Sequence, residues 1–150
     1  MNPSDERAVV ILNRLIAVCK DGHNNFMTAA GTIGGDPELV DLCLQYAQQR
    51  AEYADQLQTE VRRLSGEPAL KGTLTGALHR GWMNMKALVT GGDEDAVIDE
   101  CEAAELETKQ AYQRALSSYL PPLTTQLLQK QYAGVQEVYA HFSSMKKATR

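Results

Sequence analysis

The stretch DPELVDLCLQYAQQRAEYADQLQTEVRRLSG, at residues 36–66, decides the fold class of this chain. Asp36 followed by Pro37 is typical of a helix start, because aspartate caps free backbone N–H groups and proline tolerates the first helical position. Small and apolar residues then recur every three or four positions, which is the spacing of one buried helical face. A Ser-Gly pair provides the stop. This face, which includes one arginine, comprises Val40, Cys43, Ala47, Arg50, Ala54, Leu57, Val61 and Leu64.

Clusters of glycine and proline divide the rest of the chain into four more helical segments. The first covers about residues 4–30, and a shorter third segment covers 73–89. The fourth runs from 93 to 120, and the fifth begins at the Pro121-Pro122 pair. No segment shows the sustained alternation that is typical of strands. The four long helices reach about 40 Å at about 1.5 Å per residue, so they must pair lengthwise.

Short turns predict that the first two long helices form one antiparallel hairpin and the last two form another. The short third helix must then carry the chain back along the bundle between the hairpins. We therefore expect an all-α protein, a ferritin-like four-helix bundle with a shorter fifth helix in the crossover. A five-helix bundle with simple alternation is the alternative. The 150 residues match one domain over 1–150.

Composition excludes several classes of protein. The chain is 43% hydrophobic and 23% charged, which excludes disorder and low complexity. Its formal charge of -4 and the lack of a long basic run argue against nucleic acid as a partner. No run of 18 apolar residues occurs, and the first residues, MNPSDER, do not resemble a secretory signal. We expect a cytoplasmic protein without a membrane partner.

The three cysteines support the same compartment. Cys19, Cys43 and Cys101 are odd in number, far apart and surrounded by helix-forming residues. They fit neither a disulfide framework nor a Cys-x-x-Cys motif. We expect them to be small buried hydrophobic residues.

Several stretches together resemble a known family. They include LNRLIAVCKDG at 12–22, AQQRAEYADQLQTEV at 47–61, GTLTGALHRGWMNMKALVTGGD at 72–93 and ECEAAE at 100–105. They resemble an uncharacterised bacterial four-helix-bundle family, a domain of unknown function of the ferritin-like superfamily. The most specific match is the Leu-His-Arg-x-Trp pattern at 78–82. The resemblance implies a ferritin-like fold and no established activity.

A ferritin-like di-iron site needs a Glu-x-x-His motif from each of two helices, because residues i and i+3 share one face. The residues three positions before the three histidines are Lys20, Gly76 and Val138, so the motif is absent from this chain. We expect no complete di-iron site and no cofactor. The alternative is a reduced site for iron or another divalent metal. Its candidate ligands are Glu102, Glu105, His79, Asp21 and Glu52.

Arg50 suggests a different use of the bundle centre. It lies on the apolar face between Ala47 and Ala54, and an unpaired buried charge costs several kcal/mol. We expect its planar guanidinium to pair with Glu105 or Asp21. Gln131 on the fifth helix lies at a comparable distance from its own turn. An ion pair would then occupy the place where an active relative holds iron, whereas exposed charges are the alternative.

The function predicted from these residues is association, either with a second copy or with another protein. Two tyrosine pairs spaced seven residues apart, Tyr46 with Tyr53 and Tyr112 with Tyr119, either edge the core or line an interface. No motif for an activated nucleophile appears, so we do not expect an enzyme. The rival hypothesis is the metal-binding or iron-handling protein described above.

Overall fold

The computed structural model describes residues 1–33, 35–72 and 94–148, and the regular structure in these ranges is helical. The all-α prediction is therefore confirmed for the described chain. The predicted short helix at 73–89, with His79 and Trp82, lies outside the described residues. The four long helices are α1 (Pro3–Thr32), α2 (Pro37–Arg63), α3 (Glu94–Leu116) and α4 (Pro122–Ala148).

Side-chain caps define the starts of α1 and α2. Asn2 Oδ1 accepts a hydrogen bond of 2.8 Å from the Asp5 backbone N–H. Asp36 Oδ1 accepts from the backbone N–H groups of Glu38 and Leu39, at 3.1 and 3.2 Å. Both helices have proline in the first position, where a backbone N–H would have no partner in the helix. The predicted start of α2 is confirmed, and α1 begins one residue before the prediction.

The C-terminus of α2 is a left-handed turn. Ser65 has a φ of 67°. The Gly66 N–H then donates to the Val61 carbonyl at 2.9 Å, which is the six-residue bond of a Schellman motif. The predicted Ser-Gly stop is confirmed, although serine rather than glycine adopts the left-handed conformation.

The directions of the helices follow from their contacts. α1 packs along α2 and α3, and α4 packs along α3 and against α2. Glu60 near the end of α2 bonds to Thr124 at the start of α4, while Tyr46 near the start of α2 bonds to His141 near the end of α4. α2 and α4 are therefore antiparallel. Because α4 also follows α3 through the short turn at 117–121, α2 and α3 are parallel.

The connection from α2 to α3 therefore joins opposite ends of the bundle, and its first residues are described. Asn13 on α1 donates to the Glu67 carbonyl at 3.0 Å and accepts from the Ala69 N–H at 2.8 Å. Gly72 lies further along α1, so close to Asp21 that a Cβ at Gly72 would meet its carboxylate. The chain thus returns along α1 after leaving α2.

The buried apolar side chains form two clusters, one in each half of the bundle. One contains Leu12, Leu57 and Leu128, and the other contains Phe26 and Phe142. The spacing on α2 predicts its buried face correctly except for Val40, which is half-buried. The same spacing on α1 predicts a buried face that is confirmed in full, namely Leu12, Leu15, Cys19, Gly22, Phe26 and Ala29. On α4 it predicts Leu127, Gln131, Val135, Val138, Phe142 and Met145, of which Leu127 and Met145 are half-buried, and Leu128 is buried as well.

α3 ends at Leu116, four residues before the predicted end. Tyr119 therefore lies in the turn and is 80% exposed, whereas Tyr112 is fully buried inside the bundle. The expectation that Tyr112 and Tyr119 together edge the core or line an interface is wrong, because a spacing of seven places residues on one face only while the helix continues. None of the four described helices has both the length and the apolar character needed to cross a membrane.

Candidate functional site

A charged pair occupies the centre of the bundle, between the two apolar clusters. Arg50 Nη1 donates to Glu105 Oε1 at 2.6 Å, and Arg50 Nη2 donates to Glu105 Oε2 at 2.7 Å. Both residues are buried, with 0% and 1% of their surface exposed. The two parallel bonds match the planar guanidinium to the carboxylate and use both of its oxygens. The predicted burial and pairing of Arg50 are confirmed, with Glu105 rather than Asp21 as the partner.

Neighbouring residues shape the space around the guanidinium. A Cβ at Gly22 would lie 3.4 Å from Arg50 Cγ, so glycine leaves room for the aliphatic stem. The Phe26 ring lies under the charge, with its centroid 5.5 Å from Cζ. Arg50 Nε donates to Gln49 Oε1 at 3.2 Å. Gly22 on α1 therefore packs against the stem of Arg50, while Phe26 packs against its charge.

The Arg50 guanidinium remains charged. Burial by itself lowers the pKa of Arg50, but the adjacent Glu105 carboxylate reverses this effect and raises the pKa above its ordinary value. A guanidinium is already charged at every physiological pH. Arg50 therefore acts here as a fixed positive charge and takes no part in proton transfer.

A second polar chain lies beside the ion pair. The Tyr112 hydroxyl donates to Gln131 Oε1 at 2.7 Å, so the Cys19 thiol, 3.3 Å away, donates to the tyrosine oxygen. Gln131 Nε2 then donates to Gln56 Oε1 at 2.9 Å, which links the core to the exposed side of α2. We call Arg50, Glu105, Cys19, Tyr112 and Gln131 the polar layer. The predicted height of Gln131 is consistent with this position.

The acidity of these groups argues against a nucleophile in the layer. Burial raises the pKa of the Cys19 thiol, although Tyr112 and Arg50 oppose the shift. Burial also raises the pKa of the Tyr112 hydroxyl far above its usual range. Both side chains are therefore neutral hydrogen-bonding groups near neutral pH. The polar layer organises the core and offers no reactive thiolate.

The candidate metal ligands do not converge. Glu102 accepts hydrogen bonds from Ser143 Oγ at 2.7 Å and from Lys146 Nζ at 3.0 Å, so α4 engages both of its oxygens. The Ser143 and Lys146 bonds lower the pKa of Glu102. Although Glu102 and Glu105 are one turn apart on α3, they have separate partners. Glu105 therefore bonds to Arg50 inside the bundle, whereas Glu102 bonds to residues of α4 closer to the surface.

The remaining candidates lie elsewhere. Asp21 is buried beside Gly72, and Glu52 is exposed on α2, where it accepts from Gln48 Nε2 at 3.3 Å. His79 lies outside the described residues. Within residues 1–33, 35–72 and 94–146, no three His, Cys, Asp or Glu side chains are placed to hold a metal ion together. Asp21, Glu52, Glu102 and Glu105 are therefore not gathered into one set of ligands.

The two other histidines make local contacts. His23 Nδ1 lies 3.0 Å from the Ala47 carbonyl oxygen. His141 Nδ1 shares a hydrogen bond of 2.6 Å with the Tyr46 hydroxyl, although the i, i+4 spacing on α4 favours Glu137 as its partner. His141 therefore joins α4 to α2.

All three thiols are free and buried, as predicted. Sequence spacing did not predict that Cys43 on α2 and Cys101 on α3 meet. The hydrogen bond from Cys101 lowers the pKa of Cys43, while the same bond, with burial, raises the pKa of Cys101. Residues on different helices carry no spacing signal, and Cys43 lies two turns before Arg50 whereas Cys101 lies one turn before Glu105. Nothing in the sequence therefore indicates this contact.

One end of the bundle exposes large apolar side chains. Tyr119 in the turn between α3 and α4 is 80% exposed, and Leu123 on the first turn of α4 is 57% exposed. Met1 at the start of the chain is 58% exposed. The starts of α1 and α4 and the end of α3 all lie at this end. We call Met1, Tyr119 and Leu123 the apolar end.

Comparison with known proteins identifies a family. The family model named "Domain of unknown function (DUF2383)" matches residues 7–118. The match includes α1, α2, α3 and the polar-layer residues on these three helices. No curated protein matches the chain.

Proposed function

We propose that this chain, which belongs to the DUF2383 family of unknown function, is a ferritin-like bundle that acts by association with protein surfaces. In this proposal the bundle centre is a structural ion pair in place of a di-iron centre. We also propose that the protein is bacterial and cytoplasmic, in agreement with its three free thiols.

The helix directions support the ferritin-like assignment. α2 and α3 are parallel and their connection returns along α1, starting at residues 67–72. Two antiparallel hairpins linked by one long crossover are the arrangement of ferritin-like bundles. A simple up-and-down bundle would make α2 and α3 antiparallel.

The observation that carries the proposal is the complete use of Glu105 by Arg50. A metal ion at Glu105 would have to displace a guanidinium that binds both carboxylate oxygens. The displaced charge would remain buried and unpaired, which costs about 3–5 kcal/mol. The centre therefore holds a structural ion pair that disfavours a metal ion at Glu105, and interactions of the protein depend on its surface.

The apolar end supports association. Aromatic and aliphatic side chains that a partner can bury supply much of the binding energy of protein interfaces. Tyr119 exposes most of its ring and lies near Leu123, at the end opposite the starts of α2 and α3. Of the pair Tyr112 and Tyr119, the first therefore belongs to the core and the second to the surface.

Untagged protein, loaded aerobically with iron and then desalted, provides the test. We expect no stoichiometric iron. We expect the protein to form complexes, either with a second copy or with a protein from the source cells. The double variant Tyr119→Ser/Leu123→Ser should weaken these complexes. The iron content and the molar mass by light scattering are measured on the same samples. Two iron atoms per chain, with an oxo-bridge absorption lost in Glu105→Ala, would establish the iron-handling alternative. A chain that is strictly monomeric both when purified and when mixed with protein from the source cells would contradict association.

A further inference from the structure

A pocket at the end opposite the apolar end combines an acidic rim with an apolar floor. It lies where α2 and α3 begin and α4 ends, and it has a volume of about 390 Å³. This volume is within the range of small ligand and side-chain sites. We call it the acidic pocket. Asp36, Glu38 and Glu94 form its rim, and Leu42, Ile98 and Met145 contribute to its floor.

Acidic residues surround the pocket in the described part of this end. The first turns of α2 and α3 carry Glu38, Glu94 and Asp95, and Asp41 follows on the second turn of α2. The last turn of α4 brings basic residues to the same end, but Lys146 is bound to Glu102 at 3.0 Å. The pocket should therefore bind best a segment that carries both an apolar or aromatic side chain and a positive charge.

The apolar end has this chemistry. Arg62 lies in the last turn of α2 and Arg114 in the last turn of α3, and both are exposed. Thr124 bonds to Glu60, so the end of α2 lies beside the first turn of α4, next to Leu123. Arg62 is therefore at the apolar end, and Arg114 lines the groove between α1 and α3 together with Ser118, the residue before Tyr119. Asp5 and Glu6 also occur at this end, in the first turn of α1.

We propose that the apolar end of one molecule docks into the acidic pocket of a second copy of this chain. The proposal rests on the association function above and names the partner. Tyr119 inserts towards the apolar floor, while Arg62 and Arg114 approach the rim carboxylates. A rigid aromatic anchor with arginines is the composition enriched at the centres of protein interfaces. Opposite charges accelerate and orient the encounter.

The two surfaces lie at opposite ends of the same bundle, so the contact is head to tail. Each bound copy leaves one apolar end and one acidic pocket free. Such a heterologous contact continues into chains or closes into rings, in contrast to a two-fold dimer. The association should weaken when salt rises from low levels to about 0.5 M, because exposed charges are screened.

Two variants and their mixture test this arrangement by sedimentation velocity at low salt. Tyr119→Asp removes the anchor, and Glu38→Lys/Glu94→Lys reverses the rim. We expect each variant alone to be monomeric, because each retains only one of the two surfaces. Mixed together they should form a one-to-one heterodimer and no larger species. Leu106→Asp, at a leucine 39% exposed in the middle of α3, is the control and should assemble like the parent.

Other outcomes overturn the proposal. Parent protein that stays monomeric to its solubility limit excludes self-docking, although binding of a different protein would preserve the proposed function. Assembly that is lost in Tyr119→Asp and unchanged in the rim variant indicates a two-fold contact between apolar ends. Iron at Glu105 would instead contradict the proposed function itself. Melting curves by circular dichroism verify that each variant is folded.

Discussion

At the scale of single residues, Arg50 combines an apolar environment with a permanent charge. Its stem fills the space left by Gly22, and its guanidinium lies against Phe26 and Glu105. A buried ion pair of this kind adds little net stability over an apolar pair of the same size, but removing one partner is costly. Arg50 is therefore best understood as one half of a unit.

The first prediction follows from this coupling. Arg50→Met should lower the free energy of unfolding by about 3–5 kcal/mol, because Glu105 would remain buried without a counter-charge. Urea denaturation monitored by circular dichroism measures the change. Arg62→Met, at an exposed position of the same helix, is the matched control and should change stability by less than about 0.5 kcal/mol. A loss below that value for Arg50→Met would place the side chain at the surface.

The sequence predicted one half of the ion pair better than the other. Arg50 was identified because a charge between two buried alanines has to find a partner. Its partner was left open between Glu105 and Asp21, because periodicity shows which face of a helix is buried and does not show how far neighbouring helices are shifted. The same limitation hid the contact of Cys43 with Cys101.

Glu60 provides a pH-dependent prediction. The hydrogen bond from Arg63 lowers the pKa of Glu60, with a further contribution from Thr124, while burial opposes the shift. A folded-state pKa below the unfolded value means that the stabilisation is present above the ordinary glutamate range, about pH 4.3, and is lost as pH falls through the folded pKa. Glu60→Gln should therefore show a weaker loss of thermal stability between about pH 5 and pH 3 than the parent protein.

The control for this measurement is Glu52→Gln, because Glu52 is an exposed carboxylate on the same helix. We expect its melting temperature to follow pH as the parent does. Equal pH slopes for Glu60→Gln and the parent would show that Glu60 contributes nothing to acid sensitivity, which would contradict its bonds to Arg63 and Thr124.

At the scale of the elements, local sequence explains where helices begin and end. Asp36 and Pro37 mark the start of α2, and Ser65 and Gly66 mark its end. The predicted end of α3 is four residues too late, because the proline pair at 121–122 sets only the latest position at which the helix can end. The chain leaves the helix after Leu116, and no breaker in the sequence marks that position.

Ser65 should be replaceable by glycine with a gain in stability. Its φ of 67° is in the left-handed region, where a side chain costs roughly 1–2 kcal/mol and glycine costs none. Glycine also loses more conformational freedom on folding, so the net gain for Ser65→Gly should be about 0.5–1 kcal/mol. Ser65→Ala, which keeps the Cβ, is the control and should not stabilise. Equal melting temperatures for glycine and alanine variants would contradict the left-handed assignment.

At the scale of the whole molecule, the ion pair of Arg50 and Glu105 lies between two apolar clusters, and the two ends of the bundle differ in chemistry. One end exposes Tyr119 and Leu123, whereas the other surrounds its pocket with carboxylates. The sequence predicted the all-helical class and the buried faces, because both follow from periodicity. It could not predict the distribution of surface groups between the ends, which depends on the direction of every helix.

The central claim is that Arg50 and Glu105 act as one structural unit in the middle of the bundle. A double-mutant cycle in urea tests it most directly, with Arg50→Met, Glu105→Leu and both together. We expect each single change to cost about 3–5 kcal/mol and the double variant to unfold within about 1 kcal/mol of the parent, because no buried charge remains. Single losses that simply add in the double variant would contradict the claim.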